Sequence, residues 1–427
     1  MKILSIAYNP YNNNNNSKTM RSFFDGIPSK ELSMFYMESY SEVDYDFCDA
    51  YYRVTDQDVL RSILNLSFRT RNTHPKVKYQ RVVESKVIES TRKNKTPFSR
   101  IIRELLWKFN TWNTKDLNDW IAEQKPDIIF TLFGNNLFVH DIVVKVSRKH
   151  NIPFVAYYTD DYVLNCFNNS LFGRLHWLMS KKTYKKSMIL AEKCYVIGEK
   201  MKEDYTKAFS REFGILGNSI NFENFNDFNI RQIDLGKKIV ISFIGGLHLN
   251  RWRTICELGE LMKEVNIEKS WNIEINVYAL KLDEEIEYKL EQCGVNYKGA
   301  LTPQGVIDTM RKSDILLHIE SFDKINRTFV KYSVSTKISE YFASKRLVLA
   351  FGPHEVASIA LIKDNNLGCV LTDLDNWQEK KEKLIKAIEN YNTNDFSAQY
   401  EYCKQYYDRD KTREMLLSDM MKITKNK

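Results

Sequence analysis

The stretch that decides the fold runs from Tyr332 to Pro353 and has the sequence YSVSTKISEYFASKRLVLAFGP. It combines a group of hydroxyl side chains, a lysine, a helical pattern that carries a glutamate, and the apolar run 347–350, which is typical of a buried strand. Ser335 and Thr336 are favourable at a helix N-terminus, because their side-chain oxygens can accept hydrogen bonds from free backbone N–H groups. The stretch therefore predicts a capped helix that leads into a core strand.

The start of this helix could bind a diphosphate. Hydroxyl groups and an adjacent cation, Lys337, favour a bound anion at a helix N-terminus. Glu340 lies one turn after Thr336 on the same face, so it could reach a group attached to that diphosphate. A nucleotide sugar has this shape, with a ribose diol on one side of the diphosphate and a sugar on the other. An ordinary capped amphipathic helix before a core strand explains the same residues equally well.

Composition indicates a globular protein of two domains. The chain has 427 residues, of which 43% are hydrophobic and 13% aromatic, enough to bury a sizeable core. The apolar run after Met1 is too short for a signal peptide, and no run approaches the roughly 20 apolar residues that span a bilayer. Seven scattered cysteines without C-x-x-C spacing predict reduced thiols, a cytoplasmic location and no structural zinc.

Positive charge is concentrated in one part of the chain. The net charge is +8, but residues 61–110 alone hold 13 Lys/Arg and three acids. A second basic run comprises Lys181, Lys182, Lys185 and Lys186. Such runs can face nucleic acid, anionic lipid or an anionic substrate, or can be an ordinary solvated surface. We expect no nucleic acid, since the regular aromatic interleaving of single-strand binders is missing, and we name the anionic inner face of the membrane as a partner of residues 61–110.

Strand and helix patterns alternate along both halves of the chain, which predicts two α/β domains with doubly wound parallel sheets. In the first half the predicted strands cover 2–8, 32–36, 47–54, 128–133, 154–158, 194–197 and 213–216, and the helices 56–66, 100–109, 115–124, 138–150, 171–191 and 199–209. In the second half the strands cover 239–244, 273–279, 295–298, 315–320, 347–350 and 369–371, and the helices 252–265, 284–292, 303–312, 354–365 and 377–391 besides the opening one. Residues 396–421 are predicted to form one or two further helices. Two such halves predict a ligand cleft between the carboxyl edges of their sheets.

Several segments, in order, carry a resemblance to a known family. They are FIGGLHLNR at 243–251, DILLHIE from Asp314, STKISEYFASKRLVLA from Ser335, LGCVL at 367–371, and, in the first half, VIGEKMKEDY at 196–205 and GNSIN at 217–221. The chain after about residue 125 resembles glycosyltransferases of the "group 1", family 4-like type. That resemblance implies the GT-B fold, in which two Rossmann-like domains face each other across a cleft. It implies an acceptor-side domain at 1–220, a linker at 221–237, a donor domain at 238–395, and a helical tail at 396–427 that packs back on the first domain.

The resemblance also implies roles for individual residues of the second half. Gly245 and Gly246 would let the backbone approach the donor phosphates, and Arg251 and Lys337 would neutralise the departing diphosphate. Cations and helix N-termini can do this without a metal, so we expect neither a metal nor another cofactor. The further donor-binding candidates are Ser335 and Thr336 as phosphate ligands, Glu340 as acceptor of the ribose hydroxyls, Tyr332, and His354 after a strand end.

The chain departs from the family pattern at Tyr332. The family's E-x7-E motif has its first glutamate at this position, and the S-T-K sequence accompanies the change. The departure leaves open how the sugar is held, and therefore which sugar it is.

Acceptor-side candidates follow two predicted strands of the first half. Gly134 and Asn135 end one strand, and Asp160 and Asp161 end the next, so all four should border the cleft. Asp160 or Asp161 could orient or deprotonate an acceptor hydroxyl. The alternative, that one of them caps the following helix, is at least as well supported.

The sequence therefore favours a glycosyltransferase that moves a sugar from a nucleotide-diphosphate sugar to a polysaccharide or lipid-linked glycan. Retention of configuration is implied by the resemblance alone. A nucleotide-sugar epimerase of the same fold is the alternative enzyme, although no convincing acid/base pair is found for it. A non-catalytic protein that binds glycan or nucleic acid through the basic run is the third hypothesis.

Overall fold

Two parallel sheets, one in each half of the chain, organise the fold. The computed structural model describes residues 1–12, 15–39, 43–64, 71–73 and 96–425, with backbone alone for 15–18 and 71–73. The strands are β1 (Ile3–Ala7), β2 (Leu32–Tyr36), β3 (Ala50–Arg53), β4 (Arg71–Thr73), β5 (Ile128–Phe133), β6 (Phe154–Tyr158), β7 (Lys193–Val196), β8 (Gly214–Ile215), β9 (Lys238–Ile244), β10 (Asn272–Tyr278), β11 (Val295–Tyr297), β12 (Ile315–Ile319), β13 (Leu347–Phe351) and β14 (Cys369–Leu371).

Helices connect almost all of these strands. They are α1 (Asn15–Ser22), α2 (Asp56–Ile63), α3 (Pro97–Lys108), α4 (Lys115–Gln124), α5 (Leu137–His150), α6 (Leu171–Leu190), α7 (Glu199–Phe209), α8 (Arg251–Lys269), α9 (Glu284–Gln292), α10 (Pro303–Lys312), α11 (Lys324–Phe329), α12 (Thr336–Ala343), α13 (Ala357–Asp364), α14 (Trp377–Glu389), α15 (Ser397–Tyr406) and α16 (Arg409–Lys425). Short 3-10 turns cover Ser29–Glu31, Phe222–Phe225 and Tyr391–Thr393.

The chain divides into two units, Met1–Leu216 with Thr412–Lys427, and Gly217–Lys411. The expected linker, 221–237, lies in the second unit, and the expected tail, 396–427, is divided between the two. Within the described ranges, no helix is long and apolar enough to cross a membrane.

Each sheet has the strand order of a Rossmann fold. Among the described residues the first sheet runs β4-β3-β2-β1-β5-β6-β7-β8, and all its pairs are parallel except β3 with β4. The second sheet runs β11-β10-β9-β12-β13-β14 and is parallel throughout. This confirms the prediction of two α/β units with parallel sheets. In such sheets ligands bind at the carboxyl ends of the strands where the order reverses, here next to β1 and β5 and next to β9 and β12.

The core of the second unit lies on both faces of its sheet. Along β12, Ile315, Leu317 and Ile319 belong to one buried cluster and Leu316 to the other. This alternation is the period of two that a strand imposes on its side chains. Because both faces are covered by helices, the strand is an unbroken apolar run.

The opening stretch folds as a helix followed by a buried strand, as the sequence predicts. Ser335 is the N-cap residue of α12, and its Oγ accepts a hydrogen bond from the N–H of Lys337 at 3.3 Å. The Tyr341 hydroxyl accepts a hydrogen bond from the N–H of Ile244 at 3.3 Å, at the end of β9. α12 is thereby tied to the central strand of the sheet.

Several local structures differ from the sequence prediction: α1 was not predicted, and two more differences lie in the second unit. α11 was not predicted, and it begins where the Asp323 carboxylate accepts hydrogen bonds from the N–H groups of Ile325 and Asn326 at 3.2 and 3.0 Å. α13 begins at Ala357 and not at His354, because the N–H of His354 donates to the Asp373 carboxylate at 3.0 Å and holds the chain in a turn first.

The last helix packs in the first unit through Asp419. Its carboxylate accepts a hydrogen bond from the Tyr195 hydroxyl at 2.6 Å and pairs with the Lys193 ammonium group. Both partners lie on β7, so one carboxylate joins α16 to the sheet.

We expect Asp419→Ala to lower the free energy of unfolding of the first unit by about 1–2 kcal/mol, because it removes a partly buried charged acceptor with two donors. Urea unfolding followed by circular dichroism measures the change. The control is Asp410→Ala on the same helix, where the side chain is 59% exposed. Equal stabilities of the two variants would show that the Asp419 contacts add nothing to the fold.

Candidate functional site

The start of α12 lies at the carboxyl edge of the second sheet. α11 and α12 together form the crossover from β12 to its parallel neighbour β13. Because α12 leads directly into β13, its N-terminus lies on the side of the sheet where the parallel strands end. Thr336 is exposed there, and the Lys337 ammonium lies 2.5 Å from a Glu340 carboxylate oxygen. A hydroxyl, a cation and a carboxylate thus lie together at a helix N-terminus that Ser335 caps.

Gly245 and Gly246 follow β9 at the same edge. The N–H of Gly245 donates to the carbonyl of Tyr278 at 3.0 Å. A Cβ on Gly246 would lie 2.5 Å from Nδ1 of His248, a separation that real Cβ atoms do not show. Any other residue at 246 would require the exposed His248 imidazole to move. With glycine, the backbone stays uncovered beside the end of the central strand.

Arg251, the first residue of α8, forms a buried ion pair with Glu320, which follows β12. Its Nε and Nη2 donate to the two carboxylate oxygens at 2.9–3.1 Å, and the side chains are only 16% and 3% exposed. Burial raises the pKa of Glu320, and the neighbouring guanidinium opposes that rise. The remaining Nη1 lies 3.4 Å from Nε2 of His248 and is the part of the guanidinium that Glu320 does not occupy.

His318 lies inside the sheet and is held neutral. Its Nε2 is 2.9 Å from the Ser358 hydroxyl, and burial lowers the pKa of the imidazole to about 3. His318 is therefore a hydrogen-bonded core residue and no proton acceptor at neutral pH.

His354 belongs to a polar cluster that follows β13 and β14. Its Nδ1 lies 2.9 Å from an Asp373 carboxylate oxygen and 3.5 Å from a Glu355 oxygen. The three side chains could offer ligand atoms to a metal within 4.8 Å of one another. However, Arg327 already pairs with both carboxylates, with Nε 2.6 Å from Glu355 and Nη1 3.5 Å from Asp373. The guanidinium supplies the positive charge that a metal would bring.

Tyr332 is buried, with 3% of its surface exposed. The Lys331 ammonium lies 5.0 Å from the centre of its ring. Tyr332 stands where the motif of the resembled family has a glutamate. Its side chain is therefore a buried aromatic ring next to the Lys331 ammonium.

In the first unit, Asp161 holds the turn after β6. One carboxylate oxygen accepts hydrogen bonds from the N–H groups of Val163 and Leu164 and from the Tyr205 hydroxyl, at 2.9–3.0 Å. The other accepts from the backbone and side chain of Asn165 at 3.1 and 2.9 Å. Asp161 therefore holds a turn and does not cap the following helix α6, whose N-cap residue is Ser170. Asp160 remains the candidate for acceptor chemistry.

Asp160 and the Gly134–Asn135 pair lie at the carboxyl ends of the neighbouring strands β6 and β5. The Asp160 carboxylate accepts a hydrogen bond from the Thr159 hydroxyl at 3.0 Å. The carbonyl of Gly134 accepts one from Tyr184 at 3.0 Å, and a Cβ on Gly134 would meet no atom within 4 Å. The carboxyl edge thus has open space beside Gly134.

The sequence analysis did not identify Glu104, which occupies the N-terminus of α5. Its two carboxylate oxygens accept hydrogen bonds from the N–H groups of Leu137 and Phe138 at 2.9 and 2.8 Å. Burial raises the pKa of this carboxyl group to about 7, although both hydrogen bonds act in the opposite direction. Arg103, the preceding residue, pairs with Asp56 at 2.9 Å and donates to Asn136 at 2.7 Å.

Other functional residues missed from the sequence are Glu320, Arg327 and Asp373. Glu320 carried one usable signal, because it is an acid directly after an apolar strand and so must lie at the sheet's carboxyl edge. Nothing local identifies its partner, since Arg251 is 69 residues away. The predicted basic partner surface at 61–110 is mostly untested, because residues 65–70 and 74–95 lie outside the described residues.

A cavity of about 390 Å³ opens elsewhere in the second unit. Leu347 and Cys369, the first residues of β13 and β14, line it together with Gln399. It lies at the amino edge of the sheet, opposite to Gly245 and Lys337. We therefore place no nucleotide-sugar chemistry there.

Comparisons with known proteins show similarity in structure alone. No protein-family model matches the chain, and no curated protein matches its sequence. A structure described as trehalose-6-phosphate from E. coli bound with UDP-2-fluoro glucose superposes with a TM-score of 0.62 at 11% identity, covering 98% of this chain and 99% of that one. An alpha,alpha-trehalose-phosphate synthase (UDP-forming) from Burkholderia xenovorans in complex with glucose-6-phosphate gives 0.59 at 8% identity, covering 99% and 100%. TarM gives 0.58 at 11% identity, covering 98% of each chain. At these identities the similarity shows the two-domain GT-B fold.

We expect Glu104 to make the stability of the first unit depend on pH. Its pKa is about 7 in the folded chain against an ordinary 4.5, so its stabilising contribution is complete below pH 4.5 and is lost as the pH rises through 7. Full loss of this contribution would lower the free energy of unfolding by on the order of 3 kcal/mol. Urea unfolding at pH 5 and pH 8 gives the free energy of unfolding at each pH. Between these two values it should fall less in Glu104→Gln than in the wild type. Glu203→Gln, on an exposed position of α7, should behave as the wild type. If Glu104→Gln loses as much stability as the wild type, the carboxyl group is not protonated in this range.

Proposed function

We propose that this chain is a glycosyltransferase that moves a sugar from a nucleotide-diphosphate sugar to a polysaccharide or lipid-linked glycan. The observation that carries the proposal is that two ion pairs, Lys337–Glu340 and Arg251–Glu320, both lie at the carboxyl edge of a Rossmann-ordered sheet. One structure of the same fold was solved with UDP-2-fluoro glucose, a nucleotide-sugar analogue. That supports a donor of this class for the present chain.

Donor binding would exchange the Lys337–Glu340 ion pair for two new contacts. Lys337 would turn to the diphosphate, where the N-terminus of α12 also favours negative charge. Glu340, released from the lysine, would accept hydrogen bonds from the ribose hydroxyls. The pair is only 24% and 15% exposed, so each group needs a partner in both states.

Arg251 would stabilise the diphosphate as the glycosidic bond breaks. Glu320 holds the guanidinium in one orientation and directs Nη1 away from the carboxylate. A cation that is already oriented stabilises developing charge without reorganisation, which is the effect that a metal ion supplies in other enzymes. We therefore propose a reaction without metal or other cofactor, and retention of configuration as in the family that the sequence resembles.

On the acceptor side we propose Asp160 as the group that orients or deprotonates the acceptor hydroxyl, with Gly134 and Asn135 beside it. Asp161 would act indirectly, by holding the turn that carries Asp160. We place the activity in the cytoplasm, where its seven free cysteines are stable as thiols.

We expect a thermal-shift panel of sugar nucleotides to identify the donor. A ligand at one hundred times its dissociation constant stabilises the folded chain by about 2.7 kcal/mol, which raises the melting temperature. UDP-, GDP-, ADP- and dTDP-sugars test the base, and CMP-sugars serve as the control because they lack the second phosphate that Lys337 and Arg251 would bind. A panel without any shift, or a shift with CMP-sugars alone, would contradict the diphosphate site.

We expect Lys337→Ala and Arg251→Ala each to lower turnover about 10²- to 10³-fold, as the loss of one group that stabilises developing charge does. Transfer is measured with the donor that the panel identifies. Lys363→Ala at the far end of α13 and Arg253→Ala on the exposed face of α8 are the matched controls and should retain activity. Wild-type rates in both test variants would refute the assignment of the donor site. Release of the epimerised sugar nucleotide without transfer would instead favour the epimerase alternative.

A further inference from the structure

The first unit exposes an apolar surface on α3 and α6, which we call the α3–α6 patch. Its side chains are between 41% and 78% exposed, whereas large apolar side chains are usually buried. The members are Phe98, Ile102, Leu105 and Phe109 along α3 and its C-terminal end, and Leu171, Phe172, Leu175 and Leu178 along the first two turns of α6.

Helical spacing puts these side chains on one face of each helix. Steps of three and four residues separate the members on α3, and its other face buries Ile101, Glu104 and Trp107. The two faces meet where the rings of Phe98 and Phe172 lie 4.9 Å apart. A group of neighbouring exposed apolar side chains on a folded protein is typical of an interaction site.

Cations continue the same surface along α6. Leu175 and Leu178 are followed, in helical steps of four and three residues, by Lys182 and Lys185, which are exposed. Arg174 and Lys181 are exposed as well, and the twenty residues of α6 include no Asp or Glu. The surface is therefore apolar at one end of the helix and positive at the other, and no acid on the helix compensates it.

We propose that the α3–α6 patch docks on an anionic lipid bilayer. The apolar side chains would enter the boundary between headgroups and acyl chains, and the lysines would contact lipid phosphates. Charge complementarity favours this partner over a second copy of the chain, because two such surfaces face to face would bring like charges together. The inference does not rest on the donor site, whose residues lie in the other unit.

Co-sedimentation of the full-length chain with vesicles tests this proposal. We expect binding to vesicles of phosphatidylglycerol and phosphatidylcholine, weaker binding at high salt, and little binding to phosphatidylcholine alone. The variant Leu175→Glu/Leu178→Glu should bind anionic vesicles at least about tenfold more weakly than the wild type does. The variant Lys181→Ser/Lys182→Ser/Lys185→Ser keeps the apolar side chains. It should therefore lose mainly the part of vesicle binding that high salt weakens.

The matched control places the same two charges on apolar positions of the second unit. Ile230→Glu/Ile267→Glu changes side chains that are 48% and 82% exposed, and it should bind as the wild type does. The proposal fails if the wild type ignores anionic vesicles, or if the Leu175/Leu178 variant is folded by circular dichroism and binds as the wild type does. A third outcome also contradicts the proposal. If light scattering shows that the wild type is an oligomer and the Leu175/Leu178 variant a monomer, and neither protein binds vesicles, the patch is an interface between copies of the chain.

Discussion

The ion pair between Arg251 and Glu320 determines the geometry of the candidate donor site. A carboxylate with 3% of its surface exposed is stable only with a fully engaged partner, and loss of one member of such a pair typically costs about 3–5 kcal/mol. The pair joins the first residue of α8 to the residue that follows β12, at the point where the strand order reverses. It therefore fixes the distance between the glycine turn after β9 and the neighbouring strand end.

Two further cations at the same edge are paired within the chain. Lys337 pairs with Glu340, and Arg327 pairs with Glu355 and Asp373. An anionic ligand that binds one of these paired cations must replace an internal partner. This arrangement keeps the unliganded edge stable, and it favours a ligand that offers a phosphate to the lysine and hydroxyls to the glutamate at once.

The sequence was sufficient where structure is decided locally. The helix at Lys115–Gln124 and the strand at Ile128–Phe133 were predicted to the residue, because capping groups and apolar runs determine them within a few positions. α11 was missed, since its only strong signal is the single cap Asp323. The pairing of Arg251 with Glu320 could not be predicted, because 69 residues separate the partners and only the folded sheet brings their ends together. The alternative that Asp160 or Asp161 caps the following helix was wrong, because Ser170 caps α6. Asp161 instead accepts five hydrogen bonds, four of them from Val163, Leu164 and Asn165, and so holds the turn after β6.

The two units share a strand order but differ in the group that lies at the N-terminus of α5 in one unit and of α12 in the other. This difference bears on where we propose that a diphosphate binds. In the first unit the N-terminus of α5 is occupied by the buried carboxylate of Glu104, which takes the N–H groups of Leu137 and Phe138. An anion there would have to displace a carboxylate that belongs to the core. In the second unit α12 begins with the exposed Thr336 beside Lys337, and a neutral hydroxyl, Ser335 Oγ, accepts from the N–H of Lys337. The helix-terminus electrostatics that favour an internal carboxylate at α5 would favour a ligand's negative charge at α12, where we propose that the donor diphosphate binds.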